Sequence, residues 1–132
     1  MRENIIDQRL VGKVIRIYVL GHEDPIEGVV DEVSKYEIGV SVSNTPYVVF
    51  RHAILYAFLG ETDLHGYSQE DLDDTVLTSD LIGSEIEIHL TDGQKLEGRL
   101  VKLSKYEIGV LSKGKGLVVP KSNISFIIIL RK

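Results

Sequence analysis

A chain of 132 residues that is 43% hydrophobic and 27% charged, with three prolines, has the composition of an ordered globular protein and not of a disordered one. It contains no cysteine, which excludes disulfides, thiolate metal sites and a cysteine nucleophile. The formal net charge of −5 is unevenly spread: residues 1–59 hold six Lys/Arg against eight Asp/Glu (−2), residues 60–80 hold seven acids and no base (−7), and residues 81–132 hold nine bases against five acids (+4). The second half alone presents a mildly positive field, so the global charge does not rule out a phosphate-binding face.

The chain starts Met1-Arg2-Glu3-Asn4 without an apolar stretch of signal-peptide length, and Phe126–Leu130 is too short to cross a bilayer. A cytoplasmic protein is expected, without a membrane partner. Residues 3–10 are expected to form a short helix, followed by about five strands up to Leu59. Ser34–Val40 reads Ser-Lys-Tyr-Glu-Ile-Gly-Val, and the same seven residues return at Ser104–Val110. Looser matches surround them: Gly12 with Gly83 at a spacing of 71, then Gly28 with Gly98 at 70. The chain is therefore one small unit written twice, with a single-residue length change in the first turn.

This predicts a first repeat at 1–59, an acidic join at 60–67, and a second repeat at 68–132 that opens with its own helix near 69–78. The helix is suggested by Ser68 followed by Glu70, Asp71, Asp73 and Asp74, an arrangement that suits a cap and the helix dipole. Next, Ile86, Ile88 and Leu90 alternate with Glu85, Glu87 and His89, the period of a half-buried strand. Asp92-Gly93 marks a tight hairpin. Gly28, Gly39, Gly98 and Gly109 fall inside strands and fit a sheet that must bend sharply, as in a small barrel.

The final run Phe126–Leu130 is apolar at both parities, so both of its faces need cover, from the other repeat or from another subunit. Oligomerisation is the physical expectation. The four histidines, His22, His52, His65 and His89, lack ligand spacing, and neither a metal site nor a cofactor is expected. No nucleophile or second carboxylate accompanies Glu37 or Glu107, and an enzyme is not expected.

The order of a short helix, a strand pattern V-x-I-x-L-x-D-G-x-x-L-x-G, an aromatic hairpin tip and a final Ile-rich strand resembles the Sm-like family. Within it, Ile17-Tyr18-Val19 and Phe50-Arg51-His52-Ala53-Ile54 resemble the Hfq-like branch, while the second repeat has Pro120-Lys121-Ser122-Asn123-Ile124 in that place. The resemblance implies a mainly β protein of two tandem small barrels, each a short helix plus five antiparallel strands. It also implies a ring in which the fourth strand of one barrel pairs with the fifth of the next. Six barrels per Hfq-like ring would be supplied by a homotrimer. A join of eight residues reaches at most about 28 Å, which leaves open whether both barrels of a chain lie in one ring.

The resemblance further implies single-stranded RNA, U-rich or A-rich, as partner, its bases stacked on Tyr36 and Tyr106 beside Lys35 and Lys105, with Arg51, His52 and Lys121 as phosphate or base contacts. Tyr18 matches a second-face position, and its counterpart is His89. Stacking on a tyrosine is worth about 1–3 kcal/mol per base, which makes the chemistry sensible on its own terms. The alternative for Tyr36 and Tyr106 is packing on a neighbouring barrel, and for Tyr18 a partly buried strand position. Ser34 and Ser104 replace a family acid, Ile38 and Ile108 stand near the asparagine that reads uracil, and Glu37 and Glu107 add negative charge. The alternative function is a protein-interaction ring that has lost RNA binding.

Overall fold

The protein, described by a computed structural model over residues 4–132, is mainly β. Ten strands form it: β1 Val14–Val19, β2 Ile26–Val33, β3 Glu37–Val42, β4 Thr45–Phe50, β5 Ile54–Phe58, β6 Glu85–Leu90, β7 Lys95–Leu103, β8 Glu107–Ser112, β9 Lys115–Pro120 and β10 Ile124–Arg131. They make one antiparallel sheet in the order β5-β1-β2-β3-β4-β10-β6-β7-β8-β9. The first five strands and the last five thus follow the same internal order.

Their registers agree residue by residue. Ile15 faces Gly28 as Ile86 faces Gly98, and Tyr18 faces Tyr56 as His89 faces Phe126. A bulge leaves Asp31 unpaired between Val30 and Glu32, and Val101 unpaired between Leu100 and Lys102. Bulges of this kind bend a strand, and the glycines of β2 and β7 admit a close neighbouring backbone. At Gly28 a Cβ would stand 2.2 Å from the Ser41 carbonyl oxygen, and at Gly98 2.6 Å from that of Leu111. The Asp92-Gly93 turn closes as its sequence suggests, with the Leu90 N–H donating to Gln94 O at 2.8 Å and Gly93 at φ +93°.

The expected helices do not form. Gln8–Leu10 and Ser79–Leu81 are three-residue 3-10 turns, residue 3 lies outside the described residues, and residues 65–78 contain no helix. Acids placed for a helix dipole are not enough where no apolar stripe repeats to hold the helix down. The backbone is used differently: Lys35 N–H donates to Asp73 O (2.8 Å) and Tyr36 N–H to Asp74 O (3.1 Å). Ser68 Oγ still accepts from Glu70 N–H, but within a local turn. The join at 60–67 is also tied down, because Arg9 Nη1 donates to His65 O at 2.6 Å and Asp7 Oδ2 accepts from Ser68 N–H at 2.9 Å.

The two halves meet where β4 pairs with β10, with Val49 opposite Phe126, Val48 opposite Ile127 and Tyr47 opposite Ile128. Successive residues of each strand serve different cores. Val48 and Phe50 sit in the second core with Ile86, Ile88, Ile127 and Ile129, while Val49 and Phe126 sit in the first with Ile15, Ile17 and Ile38. This answers the double parity of the last strand, since each of its faces is covered by a different half. His89 stacks on Phe126 at 4.2 Å, and Tyr47 stacks on the same ring at 5.7 Å.

If the curl of β2 is needed, Gly28→Ala lowers unfolding free energy in urea by about 2 kcal/mol, because the atom it meets is backbone and cannot step aside. Gly116→Ala, in open space, is within about 0.5 kcal/mol of wild type.

Candidate nucleic-acid interface

The two identical heptapeptides begin as identical turns. Ser34 Oγ donates to Glu37 O (2.8 Å) and accepts from Glu37 N–H (2.9 Å), and Ser104 repeats this with Glu107 at 3.2 and 3.1 Å. Serine suits this place because one hydroxyl can donate and accept at once. Each turn projects a tyrosine, with Tyr36 59% and Tyr106 70% exposed. Neither tyrosine is buried against the other half of the chain.

Both tips open on one groove of about 1160 Å³ between the halves, which His52, Lys105, Lys121 and the connector residues Asp74, Thr75 and Leu77 also line. Of the expected site residues, five therefore share a groove: Tyr36, His52, Lys105, Tyr106 and Lys121. Lys105 Nζ lies 5.3 Å from the centroid of the Tyr106 ring, a cation–π distance. Lys35 is set apart from the groove lining and faces Asp74, with Nζ 3.5 Å from Oδ1.

Arg51 and Tyr18 are engaged elsewhere. Arg51 Nε donates to Ser34 O (3.0 Å) and Nη2 to Ile6 O (2.7 Å), so its guanidinium braces the turn against the N-terminal segment. Burial lowers its pKa from the ordinary value, with Asp7 opposing. His52 lines the groove, but its Nε2 is 2.9 Å from Ile124 O across the β4–β10 junction. Tyr18 stacks on Tyr56 at 4.5 Å, with Phe58 edge-on at 6.2 Å. Among the described residues no group of three or more His, Cys, Asp or Glu is placed to hold a metal ion.

The sequence placed Glu37 beside the site as added negative charge, but did not show the role it has in the structure. Glu37 is 1% exposed, and its Oε1 accepts from Val76 N–H (2.9 Å) and Leu77 N–H (2.7 Å), which pins the connector to the groove wall. Its place in the perfect repeat was the available signal. Desolvation raises the Glu37 pKa above its ordinary value, while the two amides and the charge of Lys121 pull it down.

No protein-family model matches the sequence, and no curated protein matches it.

Glu37→Ala strips two amides of their acceptor, one of them buried, and is expected to cost about 2–4 kcal/mol in urea unfolding. Glu37→Gln keeps an acceptor and removes the titration. A carboxyl whose folded pKa is raised contributes stability that is complete below its unfolded value and lost as pH rises through the folded value. Wild type is therefore expected to gain stability relative to Glu37→Gln as pH falls from about 7 toward about 4, read from paired urea titrations.

Proposed function

We propose that this chain is a tandem Sm-like protein whose trimer forms a six-unit ring that binds single-stranded RNA without catalysis, stacking bases on Tyr36 and Tyr106. The observation that carries this reading is the meeting of two exposed hairpin-tip tyrosines with Lys105 and Lys121 on one groove. Aromatic faces supply sequence-tolerant stacking and the lysines neutralise phosphate. Lysine beside the aromatic adds attraction but little base discrimination, so any preference between U-rich and A-rich RNA is weak.

Ring assembly is supported by the edges that the chain leaves open. The sheet ends in β5 on one side and β9 on the other, and each presents apolar surface: Leu55, Tyr56 and Phe58 on β5 and Val118 on β9 are more than half exposed. Unpaired apolar edges of this kind call for a partner strand. Carrying the β4–β10 register back and forward by 70 residues pairs β5 of one copy with β9 of the next, with Tyr56 opposite Val119, Ala57 opposite Val118 and Phe58 opposite Leu117. Tyr18 then continues the stack on Tyr56 as His89 does on Phe126.

The competing reading is an interaction ring without RNA, favoured by the acidic connector that brings Asp74 into the groove and onto Lys35. Fluorescence anisotropy with short U-rich, A-rich and mixed RNAs at two salt concentrations separates the two. The RNA reading expects salt-sensitive binding that Tyr36→Ala with Tyr106→Ala weakens by about 30-fold or more, with the assembled mass unchanged in light scattering. Equal affinity in the double variant overturns the stacking site, and no binding to any of the RNAs moves the assignment to the interaction ring.

A further inference from the structure

Glu37 and Glu107 stand in identical heptapeptides and identical turns, yet Glu37 is almost wholly buried and Glu107 is exposed. The difference is what covers them. Glu37 accepts the amides of Val76 and Leu77, the residues that lead into the second half. The residues 71 positions earlier, which lead into the first half, are Ile5 and Ile6.

The two lead-in segments correspond in structure as well as in number. Leu77 is buried in the second core and Ile6 packs against the first. Each is followed by a 3-10 turn at the same spacing, Ser79–Leu81 and Gln8–Leu10. Ile5, however, is 54% exposed at the surface, as expected of a segment that lacks the half on which to dock.

We propose that Glu107 of one copy accepts the main-chain N–H groups of Ile5 and Ile6 of a second copy, so that each N-terminal segment straps the junction to its neighbour. The proposal rests on the ring reading and adds to it a specific receptor. If β9 meets β5 as β4 meets β10, Glu107 stands before the next copy's lead-in segment as Glu37 stands before residues 76 and 77. The incoming segment also brings a charge: Arg51 donates to Ile6 O, and it follows the second copy to the place that Lys121 holds near Glu37. A carboxylate leaving water at this junction therefore finds two amides and a guanidinium, the partners that such a burial requires.

Amide hydrogen exchange read by NMR on the full chain tests this, at concentrations below and above those at which light scattering reports the trimer. Ile5 and Ile6 amides are expected to exchange at least about tenfold more slowly in the trimer than in the monomer. Glu107→Ala should abolish that protection and Glu107→Gln retain it, with Val76 and Leu77 protected in all three proteins. Glu107 is exposed in the single chain, so neither variant disturbs a core. A trimer in which Ile5 and Ile6 exchange equally in wild type and Glu107→Ala overturns the strap and leaves the ring standing. A chain that stays monomeric at every concentration overturns the ring reading, and the strap with it.

Discussion

The pairing of β4 with β10 is the contact on which the rest of the structure depends. A unit of roughly 55–60 residues is near the lower limit for a self-sufficient core. Here neither half is self-sufficient, because Val48 and Phe50 leave the first half to fill the second core while Phe126 and Ile128 do the reverse. A fully buried side chain of this size is worth about 1.5–3 kcal/mol, so the buried Val48, Phe50 and Phe126, with the partly buried Ile128, together approach the net stability of a small domain. Separating the halves would expose them on both sides at once. The groove between the two hairpin tips exists only because this pairing sets the tips side by side.

Features that depend on local chemistry were legible in the sequence. The doubled heptapeptide marked the repeat in strand order, Asp92-Gly93 marked a hairpin, and Gly28 and Gly98 marked places where a neighbouring backbone leaves no room for a Cβ. The double parity of Phe126–Leu130 told that both faces of the last strand would be covered, and the covering partner is the other half of the same chain.

Features that depend on distant backbone were not legible. The acids at 70–74 have the same local pattern whether they open a helix or lie extended, and what decides is the exposed amide pair at Lys35 and Tyr36 that their carbonyls satisfy. Arg51 resembles a ligand-binding cation in its local motif, but the carbonyls it serves are 17 and 45 residues away. Glu37 and Glu107 make the point most sharply, since identical sequences on either side of them end in opposite environments. No reading of a heptapeptide can separate them. Only the position of each copy within the sheet does.

The same asymmetry governs the electrostatics of the groove. The acidic connector passes the first tip, where Asp74 faces Lys35 at 3.5 Å, and among the described residues it has no counterpart at the second tip within the chain. That ion pair is exposed and weak, and it offsets the charge of Lys35 beside the first tip. Lys105 and Lys121, which line the groove, both belong to the half with net charge +4. Lys121, from the second half, nevertheless acts on Glu37 of the first, so the cation of one half and the tip of the other share a single groove.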